Sequence, residues 1–292
     1  MNTVSPYDPA ALDPDGRGAG NDGLAQRPGQ VRFLSLSSGS NGNCYYFSDG
    51  TMAFLIDLGI GVRTLKNRLA ENGLSIDSVA AVFVTHDHFD HIKSLGSYTE
   101  RFRRPVYLTR TLEQALRRNF CTAGRLKGCV RFLEEGCEAE VGEGRLQITP
   151  FVVPHDATQT VGYHFLFGGQ RFTVMTDLGE VTDDAVRYAS LAEHLIVESN
   201  YDVDMLMRGP YTPALKQRIL TQHGHLSNDQ TASLLRRCRH EGLRSVFLCH
   251  LSANNNTPDL AYAAAKKTLE SIGSQASLHC FPRNRASELF TF

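Results

Sequence analysis

The chain lacks any unbroken apolar run of the roughly 18 residues that a membrane span requires, so no crossing helix is expected. It also lacks a strong charge of either sign. A formal net charge of −1 excludes a molecule that binds nucleic acid through its overall electrostatics. The first 30 residues have neither the basic start nor the apolar middle of a secretory leader. They are rich in Asp, Gly and Pro and read as a disordered tail, 1–30, which weighs against an exported enzyme. The 7 cysteines are odd in number and include no Cys-x-x-Cys pair, so reduced thiols in a cytoplasmic protein are expected. Cys249 precedes His250, which raises the idea of a thiol nucleophile. It ends the apolar run 246–249, however, and reads as a buried strand thiol. No repeat and no long linker follows the tail. With 41% apolar residues, one domain over 31–292 has material for a sizeable core.

Histidine is scarce too, 11 in 292 residues, yet three fall within His86-Asp87-His88-Phe89-Asp90-His91. Two carboxylates share the segment, and it directly follows the β-prone run 79–84. Imidazole and carboxylate are the ligands preferred by Zn²⁺ and other borderline divalent ions. A strand ending in such a loop gathers several donors in a small volume. The alternative, a polar surface loop that happens to be His-rich, fits poorly with so few histidines elsewhere.

The rest of the chain alternates strands and helices. Residues 31–36, 44–47, 52–56, 79–84, 104–108, 130–133, 146–153, 163–167, 171–176, 195–197, 246–249 and 278–281 have strand character. Ser48-Asp49-Gly50 and Gly168-Gly169 read as hairpin turns. Helical spacing covers 62–72, 111–118, 183–190, 227–239 and 259–272, with Ser227 as an N-cap. Strands come in runs, helices lie between runs, and the β…α order occurs twice. This predicts an α/β fold with two packed sheets and helices outside, a four-layer αββα sandwich.

Three further donors repeat the placement of the motif. His155 follows the strand 146–153, Asp177 follows 171–176, and His250 follows 246–249. Such a set can hold two divalent ions, typically roughly 3.5–4 Å apart. Two ions lower the pKa of a shared water and clamp the oxygens of a phosphoryl or acyl group. The expected chemistry is hydrolysis by a metal-bound hydroxide, with Asp177 and Asp90 orienting it.

Substrate signals are weaker. Gly224-His225-Leu226-Ser227 opens a helix, and His225 reads either as a phosphate contact or proton donor, or as part of a helix start. The turn-rich loop 37–43 offers Ser40 and Asn43 as substrate contacts, or is an ordinary turn. Asn254-Asn255-Asn256 either lines the site through Asn255 or forms a turn before Pro258. Arg101, Arg103, Arg104, Arg110, Arg117, Arg118, Arg125, Lys127 and Arg131 lie close in sequence. They form a solvated face or a local basic surface suited to a phosphate backbone.

His86-x-His88-x-Asp90-His91 followed in order by His155, Asp177 and His250 resembles the metallo-β-lactamase superfamily. The resemblance implies that His86, His88 and His155 bind one metal (Zn²⁺ or Mn²⁺), that Asp90, His91 and His250 bind a second, and that Asp177 bridges them. Asp57 matches that superfamily's first motif and would orient the metal loop without ligating. In the phosphodiesterases of the fold, a segment similar to Gly-His-Leu-Ser sits at this place. Ser-Ser-Gly-Ser-Asn-Gly-Asn, Glu198-Ser199-Asn200 and the Asn-rich stretch after His250 narrow the resemblance to the YycJ/WalJ (VicX) branch. That branch implies a bacterial cytoplasmic DNA exonuclease, 5′-to-3′, manganese-supported and linked to DNA repair. Tyr201 stands where those relatives carry His, which leaves that position's role open. The short gap between Asp177 and His250 leaves no room for the extra domain of the β-CASP nucleases. The competing expectations are a glyoxalase II-like thioesterase, a cyclic-phosphate or RNA phosphodiesterase on the same fold, and a non-enzymatic metal-stabilised module.

Overall fold

A computed structural model describes residues 30–292. The expected tail, 1–30, lies outside the described residues apart from Gln30. Two seven-stranded sheets face each other. The first comprises β1 (Arg32–Ser37), β2 (Cys44–Ser48), β3 (Ala53–Ile56), β4 (Val79–Phe83), β5 (Val106–Leu108), β6 (Val130–Phe132) and, at its edge beside β1, β14 (Phe290–Thr291). The second comprises β7 (Ala139–Val141), β8 (Leu146–Val153), β9 (Thr160–Phe167), β10 (Gln170–Met175), β11 (His194–Glu198), β12 (Ser245–Cys249) and β13 (Ser277–Cys280). Each sheet is mixed: hairpin-linked strands pair antiparallel, then β3–β6 and β10–β13 run parallel.

Helices cover the outer faces and part of the strand-end edge. They are α1 (Val62–Glu71), α2 (Phe89–Ile92), α3 (Leu95–Phe102), α4 (Arg110–Leu116), α5 (Asp183–Ala189), α6 (Val203–Arg208), α7 (Pro213–Leu220), α8 (Asn228–Arg237) and α9 (Pro258–Ser271). Leu65 and Leu69 of α1, Tyr98 of α3 and Leu112 of α4 join the apolar core of the first sheet. Ala185 of α5, Leu234 and Leu235 of α8, and Ala261 and Ala265 of α9 pack with Val197, Val246 and Leu248 of the second sheet. Strands β11 and β12 are buried along their whole length, as parallel strands covered on both faces must be. The αββα sandwich expected from the element order is the observed fold.

Aromatic rings join the sheets. Phe47 and Phe54 of the first sheet meet Phe165 of the second edge-on at 5.1 and 5.5 Å, and Phe33 meets Phe247 at 5.3 Å. Such pairs add about 0.5–1.5 kcal/mol each beyond their area burial. The hairpin at Gly168-Gly169 has φ of 55° and 77°, both left-handed, which a tight two-residue turn requires and glycine supplies without strain.

Six elements escaped the sequence reading: α2, α3, α6, α7, β7 and β14. Helix α2 is a single turn inside the motif, so the segment read as a loop is half helical. The edge strands β7 and β14 are three and two residues long, too short to carry a period. Among the described residues, no helix is long and apolar enough to cross a membrane, and all seven cysteines are unpaired.

Candidate metal centre

Strands β3, β4, β8, β10, β11 and β12 end on one edge of the sandwich, and the functional side chains sit at or just beyond those ends. Asp57, Asp177 and His250 follow β3, β10 and β12 in the left-handed conformation, with φ of 61°, 56° and 52°. That conformation costs a side-chain-bearing residue roughly 1–2 kcal/mol. Its recurrence at three strand ends of one edge marks a site whose side chains must turn back over the sheet.

Buried partners set the orientation of four of the imidazoles, those of His91, His155, His86 and His250. Asp57 is wholly buried and accepts bonds from the Thr85 N–H (2.8 Å), the Thr85 hydroxyl (2.7 Å) and His91 Nδ1 (2.7 Å). His91 Nε2 is thereby turned toward Asp177 Oδ2 at 3.1 Å and Asp90 Oδ2 at 3.6 Å. His155 Nδ1 donates to the Gly224 carbonyl at 2.7 Å. His86 Nδ1 lies 2.9 Å from the Thr85 hydroxyl. His250 Nδ1 donates to Glu198 Oε1 at 2.9 Å and lies 3.1 Å from Asp177 Oδ1. The opposite nitrogens, Nε2 of His86, His155 and His250, are buried without a hydrogen-bond partner. Buried polar atoms seldom stay unsatisfied. Three orphaned ring nitrogens among carboxylates fit divalent cations, with outer hydrogen bonds fixing the ring tautomers.

The donors fall into compact groups. Ligand atoms of His86, His88 and His155 lie within 4.8 Å of one another, as do those of Asp90, His91 and His250. A third group, His86, His91 and Asp177, links these two within the same spacing. The seven expected ligands are therefore brought together in two sets with Asp177 between. Burial pushes the rings of His86 and His155 below the ordinary imidazole range, which favours the neutral, ligating form. Burial would also lower His91, but the carboxylates of Asp177, Asp57 and Asp90 raise it to about 10. Burial would raise Asp177, yet the charges of His250 and His91 hold it well below the usual carboxylate range.

In the sequence Glu198 stands out only as part of the Glu198-Ser199-Asn200 stretch. It ends β11, fully buried, and its Oε1 accepts from Nδ1 of both His225 (2.8 Å) and His250 (2.9 Å). Its Oε2 accepts from the N–H groups of Leu226 (3.0 Å) and Leu178 (3.2 Å). Burial would lower His225, but the charge and hydrogen bond of Glu198 raise it. The signal that could have found Glu198 is a lone acid ending an otherwise apolar strand.

A cleft of about 240 Å³ opens over the donors and is walled by Ser40, Asn200, Tyr211, Arg218, His225 and Ser252. Ser40 lines the cleft. Asn43 and Asn255 do not line this cleft. Asn43 Nδ2 instead lies 2.8 Å from His91 Nε2 and 3.3 Å from Asp90 Oδ2, so it touches two of the expected ligands on the side that faces the donors. Asn255 packs beneath the turn, its N–H donating to Ser252 Oγ at 3.2 Å. Tyr201 is buried with Leu206 and Ile219 and supports α6 and α7. Those two helices, missed in the sequence, carry or flank Tyr211 and Arg218. Cys249 is wholly buried, and burial raises its thiol well above the ordinary range, which removes it as a nucleophile. The basic stretch divides. Arg110 stacks over Phe132, Arg117 pairs with Glu113 and Arg125 with Glu100, whereas Arg118 borders a hollow shared with Asp87 of the motif.

A two-sheet sandwich whose strand ends gather imidazoles and carboxylates defines a class of metal-dependent hydrolases. Residues 53–251 match the family model described as "Beta-lactamase superfamily domain", and the chain belongs to the metallo-β-lactamase superfamily. It is 31% identical to the exodeoxyribonuclease WalJ of Streptococcus pneumoniae serotype 2 (strain D39 / NCTC 7466), over 79% of this chain and 85% of that protein. It is 30% identical to the exodeoxyribonuclease YycJ of Bacillus anthracis, over 83% and 90%. The crystal structure of unliganded yeast PDE1 superposes with a TM-score of 0.68 at 12% identity, covering 89% of this chain and 99% of that one, a likeness of fold.

Proposed function

We propose that residues 31–292 form one domain that hydrolyses phosphodiester bonds with two divalent ions, Zn²⁺ or Mn²⁺. The substrate in this reading is DNA, degraded from the 5′ end, in the cytoplasm. The observation that carries the reading is the convergence of the orphaned Nε2 atoms of His86, His155 and His250 with Asp90 and Asp177. In this assignment His86, His88 and His155 hold one ion, Asp90, His91 and His250 hold the other, and Asp177 is shared. Ions held by these residues would supply hydroxide at neutral pH and offset charge on the scissile phosphate. The names of the two relatives described above, both exodeoxyribonucleases, support DNA as the substrate.

The chain's own groups do the rest. Glu198 holds His225 by Nδ1 at the cleft wall and favours its protonated form, which suits the ring to donate a proton to the leaving oxygen. Ser40 and Ser252 offer hydroxyls to the substrate's non-bridging oxygens. Arg218, tied to Asp156, places a positive charge at the rim.

The test is incubation of the protein with Mn²⁺ and 5′-labelled duplex DNA. The label should leave as mononucleotide at the earliest times, and His88→Ala should abolish its release. No nucleotide release, or equal release by His88→Ala, contradicts the reading. Turnover of a small thioester without DNA hydrolysis selects the thioesterase alternative instead.

A further inference from the structure

One feature beside the metal centre takes no part in ligation. Phe89, between His88 and Asp90, is 50% exposed, and Phe120, in the segment after α4, is 78% exposed. Their rings stack on each other, centroids 5.8 Å apart and 20° from parallel. Isolated exposed apolar side chains are ordinary, but a stacked pair inside a functional motif is a contiguous apolar surface. The Phe120 segment is tied to the motif, since Asn119 Nδ2 donates to the Asp87 carbonyl at 3.3 Å and the Cys121 N–H donates to Asn119 Oδ1 at 3.0 Å. One cation lies over the pair, and a second stands two residues before Phe120 in the chain. Lys93 Nζ lies 5.5 Å from the centre of the Phe89 ring, and Arg118 borders the hollow it shares with Asp87 and Thr158. Neither forms an ion pair among the described residues.

Open aromatic faces beside unmatched cations suit a planar ring carried on a phosphate backbone. Base–aromatic stacking with basic side chains along the strand is how single strands are held without sequence preference. A base between the two rings would need two stacking steps of roughly 3.4 Å each, more than the 5.8 Å present. The open face is therefore the outer face of Phe120. We propose that Phe120, backed by Phe89, stacks an unpaired nucleobase of the strand whose phosphate enters the metal centre, with Lys93 and Arg118 taking adjoining phosphates. This rests on the phosphodiesterase reading and adds the position of the strand to it. It makes the unpaired end, not the duplex, the bound form.

The chain contains no tryptophan, so Phe120→Trp creates a single tryptophan, excited selectively at the long-wavelength edge of its absorption, where the 10 tyrosines absorb little. Its emission should be quenched by a phosphorothioate single strand and not by a fully abasic strand of equal length. Phe120→Ala should raise KM for a single-stranded oligonucleotide on the order of tenfold, with kcat little changed, and should leave KM for an abasic-ended strand as it is in the wild type. Equal emission with both strands, or a KM for Phe120→Ala within twofold of wild type, overturns the proposal while leaving hydrolysis intact. A change of oligomeric state on Phe120→Ala, with no quenching in Phe120→Trp, assigns the patch to protein contact and also overturns it. Quenching by base-bearing strands without hydrolysis of any phosphodiester upholds the stacking and sinks the phosphodiesterase reading.

Discussion

Glu198 receives four N–H groups, two from imidazoles and two from backbone, and a carboxylate is the only side chain of this shape that accepts all four. In Glu198→Gln the amide NH₂ must face either the two imidazole N–H groups or the two backbone ones. One donor pair then meets another donor. We expect kcat to fall on the order of 10²-fold and metal affinity on the order of 10- to 100-fold, with far-UV circular dichroism unchanged. A kcat within twofold of wild type would show that Glu198 does not set the His225 and His250 rings. Asp57 plays the same part for His91, with Thr85 fixing the carboxylate from two sides. Asp57→Ala should lower metal affinity by a similar factor, read by competition with a chelator, although Asp57 is no ligand in this assignment.

At the scale of elements, the donors stay together because loops from different strands are stitched by backbone bonds. The Leu58 N–H donates to the His91 carbonyl at 2.8 Å, the Asn43 N–H to the Asp90 carbonyl at 2.7 Å, and the Gly59 N–H to the Asn43 carbonyl at 2.9 Å. A Cβ on Gly59 would fall 1.6 Å from the Asp90 carbonyl oxygen. Gly59→Ala must therefore push α2 away from β3, at a cost of about 1–3 kcal/mol or more. Thermal melting should show a drop of several degrees together with weakened metal binding. Gly61→Ala, whose added Cβ would meet only Thr64 Oγ1 at 3.8 Å, should melt close to wild type. This stitching is also where sequence reasoning stopped. The candidate ligands stand out in the sequence because His86, His155, Asp177 and His250 each follow an apolar strand. The bonds among Asn43, Gly59 and Asp90 join segments far apart in sequence and leave no local pattern. Asn43 and Asn255 show the limit: a polar side chain in a turn reads alike whether it faces a cleft or the interior. Helices α6 and α7 were missed although their caps, Asp202 and Thr212-Pro213, are ordinary start signals. Each is eight residues or fewer, too short to establish a helical period.

For the whole molecule, two histidines away from the metal centre set an acid limit. His164 on β9 bonds to the Thr173 hydroxyl, and His194 opens β11 against Phe292. Burial lowers both from 6.5 to about 4. Between these values the unfolded chain binds protons that the folded chain refuses. Stability is therefore full above pH 6.5 and is lost as pH falls toward 4, by on the order of 2–3 kcal/mol per ring. The urea midpoint should decline over that window, and a His164→Gln/His194→Gln variant should decline less steeply. An equal decline in both proteins would contradict this. The fold itself was legible at this scale. Runs of apolar strands separated by helices permit few layer arrangements, and the two sheets closed on aromatic rings adopt the expected one.

The central claim is that seven side chains on one edge of the sandwich hold two ions. The direct measurement is metal content per chain by mass spectrometry, after loading with Mn²⁺ or Zn²⁺ and removal of excess. The wild type should retain two equivalents, and Asp177→Ala, which removes the shared carboxylate, should retain one or fewer. One equivalent or none in the wild type, or two retained without Asp177, would contradict the account.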